Sequence, residues 1–136
     1  MITVEASQLK PMGNDVEDYH RISVVTPTLN RPKEIADLLV NLSKQTKLPF
    51  ELIIIDGATA EQDETEKIIQ ENIPNQPYFI NYVRSGGGTA IQRNVGIDIA
   101  SGDFIAFIDD DIRLERDFFS EIIDVFRQDK YNQIGG

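Results

Sequence analysis

The 136-residue sequence contains no cysteine and a single histidine, His20. Without cysteine there is no disulfide framework and no thiolate metal site, and one histidine excludes a multi-histidine metal centre within the chain. No apolar run approaches the roughly 18–20 residues that span a bilayer, so no transmembrane helix is expected. The opening residues MITVEASQLK lack a basic stretch followed by an apolar one, so no secretory signal is expected either. Basic residues are scarce: 13 Lys and Arg stand against 23 Asp and Glu, for a formal net charge of -10. That balance disfavours a sequence-independent grip on nucleic acid. Two nucleotide-binding signatures are missing as well. Gly86-Gly87-Gly88 is not followed by Gly-Lys-Ser/Thr, so it is no Walker A loop, and Thr-Pro-Thr-Leu-Asn-Arg-Pro stands where a Gly-x-Gly-x-x-Gly would follow the first strand. Ser23, Ser85 and Ser101 have no histidine in a plausible partnership, which leaves acyl transfer without support.

What is present is a globular pattern. A 40% hydrophobic content with seven Phe and four Tyr excludes low-complexity disorder, and the length fits one domain. Residues 1–20 read as an acidic, partly flexible leader. From Arg21 a strand-then-helix unit repeats four times. Ile22 to Val25 is a strand stopped by Thr26-Pro27-Thr28, and Asn30-Arg31-Pro32 signals a helix start with Asn30 as cap, followed by Ile35, Leu38, Leu39 and Leu42 at helical spacing. Leu52 to Ile55 is a second strand ending on Asp56-Gly57. Thr59 and Gln62 have capping-box spacing before a helix carrying Ile68, Ile69 and Ile73. Five carboxylates between Glu61 and Glu71 suit that helix's solvated first turns. Phe79 to Arg84 is a third strand; Thr89 and Gln92 repeat the capping-box spacing, Ile91, Val95 and Ile99 line a helix face, and Gly102 is placed to stop it. Phe104 to Ile108 is a fourth strand, and a last helix over about 117–129 turns Phe118, Ile122, Val125 and Phe126 inward. The pattern predicts an α/β fold: a central, mostly parallel sheet flanked by helices.

Ligands of open parallel sheets bind at the carboxyl ends of the strands. Those ends carry Thr26-Pro27-Thr28, Asp56-Gly57, Arg84-Ser85 and Asp109-Asp110-Asp111. In extended backbone Asp109 and Asp111 face one side and Asp110 the other. Two convergent carboxylates suit a hard divalent ion, Mg²⁺ or Mn²⁺, that keeps positions open for phosphate oxygens. The same residues also make sense as a solvated capping cluster. Asp56 suits a nucleobase N–H or a ribose hydroxyl, or is simply a turn residue before Gly57. The glycine loop and Arg93 could meet a phosphate, or form an ordinary surface loop and helix arginine. His20 fits a packing or solvent-facing role.

Together these segments resemble the N-terminal half of a family 2 glycosyltransferase with the GT-A fold, a Rossmann-like nucleotide-binding architecture. The resemblance runs from Arg21 to about Gly136. Arg21 to Pro32 is similar to the family's opening strand and turn, Leu52 to Thr59 to its second strand with a nucleobase-binding aspartate, Arg93-Asn94-Val95-Gly96 to its Arg-Asn-x-Gly helix, and Asp109-Asp110-Asp111 to its Asp-x-Asp signature. The order and spacing of the four carry more than any one. It implies a nucleotide-sugar donor, usually a uridine diphosphate sugar, with Thr26, Pro27, Thr28 and Asp56 at base and ribose. Arg93 would lie near ribose and diphosphate, Asp109 near ribose and metal, and Asp111 would be the main ligand of Mn²⁺ or Mg²⁺. The implied reaction is transfer to the hydroxyl of a saccharide, lipid-linked or other acceptor with a single inversion.

The family's general base lies further along the chain than Asp111, so the expectation is a domain that stops at Gly136 before its acceptor-binding half, with no base among Glu115, Asp117, Glu121 and Asp124. Two other readings stay open: a non-catalytic nucleotide-sugar-binding module, and, more remotely, a metal-dependent phosphatase with an Asp-x-Asp after an apolar strand. A cytoplasmic location, with membrane-peripheral attachment also compatible, is expected. So is self-association through the face a missing half would cover.

Overall fold

The computed structural model describes residues 2–6 and 20–128. A five-stranded sheet forms its centre, built from β1 (Ile2–Ala6), β2 (Ile22–Thr28), β3 (Glu51–Asp56), β4 (Phe79–Arg84) and β5 (Phe104–Ile108), in the order β1-β5-β2-β3-β4. Strands β2 to β5 are mutually parallel, as the repeated strand-then-helix pattern predicts. The edge strand β1 was not expected within the acidic leader. It runs antiparallel to β5, Ile2 opposite Ile108 and Ala6 opposite Phe104. Its alternating Ile-Thr-Val-Glu-Ala is a short two-period pattern, easily read as part of an irregular segment.

Every residue of β2, β3 and β5 is buried. Parallel strands sandwiched between helices are apolar on both sides, which is why these segments read as runs rather than alternations. On one face α1 (Pro32–Ser43), α2 (Glu64–Asn72) and α4 (Phe118–Gln128) cover Ile22, Val24, Leu52, Ile54, Ala106 and Ile108. On the other, α3 (Thr89–Ile99) covers Val25, Ile53, Ile55, Ile105 and Phe107 through Val95 and Ile99.

The four apolar positions expected of α1, Ile35, Leu38, Leu39 and Leu42, are all buried. Several finer expectations are corrected. Asn30 does not cap α1: Arg31 holds the cap position without a side-chain bond, and Asn30 adopts φ 47. Thr59 and Gln62 bond reciprocally, but in a turn before α2, whose cap position is Asp63. Ile73 is exposed on a 3₁₀ turn over Ile73–Asn75. In α3 the buried residues are Gln92 and Gly96, while Ile91 is 52% exposed. In α4 they are Phe119 and Ile123, with Phe118, Ile122 and Phe126 half-buried and Val125 exposed. Gly102 lies beyond the end of α3, and a Cβ there would stand 2.6 Å from Ser23 Oγ and 2.7 Å from the Arg21 carbonyl. It is a close-approach glycine between chain segments. The segment Tyr131 to Gly136, whose sequence resembles the start of a further strand of the family, lies outside the described residues.

Candidate functional site

The site arises where the sheet opens. Pairing of β2 with β3 continues to Thr28 opposite Asp56, whereas pairing with β5 ends at Val25 opposite Phe107. The carbonyls of Ile22 and Thr28 accept from Phe50 and Gly57 on the β3 side, and that of Arg21 from Asp103 and Phe104 on the β5 side. Odd-numbered peptide groups of β2 therefore point toward β5, and Pro27, which has no N–H to offer, stands just past the last β5 pair. The two strands separate there, at the point where the order of the parallel strands reverses. A cleft of about 570 Å³ lies over the gap, lined by Pro27 to Leu29, Arg31, Gly57, Gly86 to Thr89, Gln92, Arg93 and Asp109 to Asp111.

The three aspartates divide their duties. Asp109 lies on the α3 side, its Oδ1 3.3 Å from Arg93 Nη2. Asp110 lies on the α1 side and is 6% exposed. Its Oδ2 accepts from Thr28 Oγ1 at 2.7 Å and its Oδ1 from Arg31 Nη1 at 2.8 Å. Strand alternation holds this far. The Ile112 amide then donates to the Asp109 carbonyl at 3.1 Å, closing a turn, so Asp111 is placed by that turn and not by extended backbone. Asp111 is exposed, and among the described residues no hydrogen bond or ion pair reaches its carboxylate.

Helix α1 fixes the segment after the aspartates. Arg113 donates to the carbonyls of Asp110 and Glu34, Asn41 exchanges two bonds with Leu114, and Gln45 donates to the Glu115 carbonyl and accepts from the Phe119 amide. Asp117 accepts from Thr46 Oγ1. The strand-end carboxylates thus sit on a backbone tied down from both sides.

Five of the seven residues expected at the site meet on the cleft: Pro27, Thr28, Arg93, Asp109 and Asp111. Thr26 and Asp56, the other two, are wholly buried, near the end of β2 and at the end of β3. Thr26 is wholly buried in β2, with no partner for its Oγ1. Asp56 is 0% exposed. Its Oδ1 accepts from the amides of Asn30 (2.9 Å) and Ala58 (3.0 Å), and its Oδ2 from Tyr82 Oη (2.6 Å). This carboxylate holds the β2–α1 and β3–α2 loops together behind the cleft. Burial first, and then the Asp56 carboxylate, push the Tyr82 hydroxyl well above the ordinary tyrosine range, so it stays a donor at neutral pH.

Motif reading passed over four cleft or supporting residues. Gln92, read as a capping residue, turns inward instead and its Nε2 donates to the carbonyls of Thr28 (3.0 Å) and Ile55 (2.9 Å), bridging the ends of β2 and β3. Arg31 and Asp110 form the pair above, and Tyr82 steadies Asp56. No periodic or motif signal in the sequence marks any of these roles, since α3 also carries Thr89, Arg93, Asn94 and Asp98. Leu29 presents a side chain 62% exposed at the cleft wall, over Gly57, where a Cβ would come within 3.3 Å of it. Among the described residues no group of three His, Cys, Asp or Glu could by itself hold a metal ion.

A parallel sheet opened at its topological switch point, with polar and acidic residues on that edge, defines a Rossmann-like α/β domain. The chain belongs to the glycosyl transferase family 2, whose profile matches residues 23–136. Among curated relatives it is 34% identical over 100 residues to the uncharacterized glycosyltransferase YwdF of Bacillus subtilis, covering 74% of this chain and 34% of the relative. It is 32% identical over 94 residues to the poly(ribitol-phosphate) beta-N-acetylglucosaminyltransferase TarS of Staphylococcus aureus, covering 67% of this chain and 16% of TarS. Crystal structures of S. aureus TarS 1-349 superpose with TM-scores of 0.66 for the UDP complex and 0.65 for the UDP-GlcNAc complex. Their identities are 25% and 26%, over 79% of this chain and about a third of that one. The matched segment spans only 29%, 34% and 26% of the length of three of the curated glycosyltransferases it matches. No helix among the described residues is long and apolar enough to cross a membrane.

Proposed function

We propose that this chain forms the donor-binding half of a glycosyltransferase that takes a sugar from a nucleoside diphosphate donor, a UDP-sugar, to an acceptor hydroxyl with inversion. The observation that carries the reading is the pairing of charges in the cleft. Arg31 takes Asp110 and Arg93 takes Asp109, while Asp111 stands exposed and has no partner among the described residues. A diphosphate adds further negative charge to this edge, which a divalent cation between the two would offset.

The residues fit Mn²⁺ or Mg²⁺ in the manner of hard cations held by one or two carboxylates and completed by substrate phosphates. Asp111 would be the principal ligand and Asp109 the second. When bound, such an ion stabilises the charge that develops on the leaving diphosphate. The chain's own residues do the rest. Arg93 and the amides of the Gly86 to Thr89 turn offer donors to phosphate oxygens. Thr28 and Pro27 shape the floor, and exposed Leu29 gives an apolar wall suited to a base. Asp56 acts through Asn30 and Ala58, holding the loops that frame the base.

TarS, whose structure with UDP-GlcNAc shares this fold, supports the choice of donor class. Calorimetry with UDP, with and without Mn²⁺, tests it. Binding that strengthens with Mn²⁺ and is lost in Asp111→Ala is expected. Absence of UDP and GDP binding, with Asp111→Ala indistinguishable from wild type, would sink the reading. Metal-dependent binding without UDP-sugar hydrolysis or transfer would instead mark a donor-binding module.

A further inference from the structure

Arg93 has an alternative partner on each side of the proposed chemistry. In the structure its Nη2 lies 3.3 Å from Asp109 Oδ1, with the side chains 24% and 36% exposed. Its guanidinium stands 5.9 Å from the centre of the Phe107 ring, and its Nε is buried without a partner. The group is therefore held at the strand end by packing as well as by charge. A cation approaching Asp109 meets a guanidinium already paired there.

We propose that Arg93 couples cation binding to nucleotide binding: it screens Asp109 from a divalent ion until a diphosphate offers the guanidinium a second anion. This rests on the donor-site reading above and adds an order of events to it. To gain Asp109 as its second ligand, a cation alone must separate Arg93 from Asp109 and then sit beside a positive charge that has lost its partner. With a diphosphate present, Arg93 shifts its hydrogen bonds to phosphate oxygens and Asp109 turns to the ion. The two ligands then favour one another reciprocally, as linkage requires. Asp110 does not take part, because Thr28 and Arg31 hold it on the opposite side of the strand end.

The test measures free Mn²⁺ by its electron paramagnetic resonance signal as protein is titrated in, with and without UDP. Four proteins are compared: wild type, Arg93→Gln, Arg93→Met and Arg31→Gln. Arg93→Met keeps the aliphatic packing on Phe107 and covers a folding failure of the glutamine variant. The expected result has opposite signs for the two ligands. Neutralising Arg93 tightens Mn²⁺ alone by about fivefold, the scale of a partly exposed ion pair. It also weakens UDP by about tenfold, the scale of a charge-assisted hydrogen bond, so the enhancement of each ligand by the other shrinks. Arg31→Gln changes the cleft charge equally but leaves the Asp109 pair intact, and its effect on Mn²⁺ alone is expected to be smaller. Unchanged or weaker Mn²⁺ binding in both Arg93 variants would overturn the coupling, as would an equal gain in Arg31→Gln. If wild type binds no UDP at all, the donor-site reading fails with it; UDP binding without the Arg93 signature refutes the coupling alone.

Discussion

Replacing Asp110 with alanine should damage the fold, whereas replacing Asp111 should not, although the two are adjacent in one acidic run. The Asp110 carboxylate is almost wholly buried and takes the Thr28 hydroxyl at 2.7 Å and Arg31 at 2.8 Å. Its loss leaves the buried Thr28 hydroxyl without an acceptor, which costs about 1–3 kcal/mol. The Arg31 pair adds less, up to about 1 kcal/mol, because that side chain is 45% exposed and its charge can return to water. Together the loss is about 1–4 kcal/mol, and for a domain of this size about 4–16 °C in Tm. Asp111 is exposed and has no partner among the described residues, so Asp111→Ala stays within about 0.5 kcal/mol of wild type. Thermal and urea unfolding followed by far-UV circular dichroism give both numbers, and Thr28→Val completes a double-mutant cycle with Asp110→Ala. The reasoning is refuted if Asp110→Ala melts within about 2 °C of wild type, or if Asp111→Ala loses as much.

Three further outcomes follow from the geometry. Gly96→Ala places a Cβ 2.3 Å from Val25 Cγ1; the gain in helix propensity of about 1 kcal/mol is outweighed by overpacking of about 1–3 kcal/mol, so chemical denaturation should show a net loss. Tyr82→Phe removes the hydroxyl donor from buried Asp56, a loss of about 1–3 kcal/mol; a denaturation midpoint equal to wild type would contradict that role for Tyr82. Burial, and then the charges of Arg127 and Lys47, hold His20 below the ordinary histidine value. The unfolded chain therefore takes up the proton first as pH falls. The stability His20 contributes is complete above about pH 6.5 and is lost as pH falls from there through its lower folded value. His20→Gln should flatten the fall in Tm between about pH 7 and pH 5, and an unchanged slope would count against it.

The parallel core was legible because buried parallel strands leave apolar runs, and Ile22 to Val25, Leu52 to Ile55 and Phe104 to Ile108 are such runs. The phase of α3 was not. Apolarity pointed to Ile91, but the carbonyls of Thr28 and Ile55 end at an opening sheet and need a donor, and Gln92 provides it. Gly96 then lets the helix settle onto Val25. The site was legible as a place, since strand-end positions follow from alternation of elements. The assignment of roles within it was less so. Asp56 and Thr26 sit at strand ends in sequence, and only the structure shows that both are wholly buried. Asp110, the middle residue of the signature, is engaged by Thr28 and Arg31, 82 and 79 residues away in sequence. Such long-range pairs leave no periodic trace.

The central claim is a metal-assisted nucleoside diphosphate site at the opening between β2 and β5. A crystal structure of the protein with UDP and Mn²⁺, located by anomalous scattering, tests it most directly. The expected result is a manganese peak at the Asp111 carboxylate beside the diphosphate, Arg93 turned from Asp109 to phosphate oxygens, and the base against Leu29. UDP bound elsewhere, for example in the cleft lined by Phe50, Tyr78 and Phe79 at the opposite end of the sheet, or a manganese ion that does not touch Asp111, would contradict it.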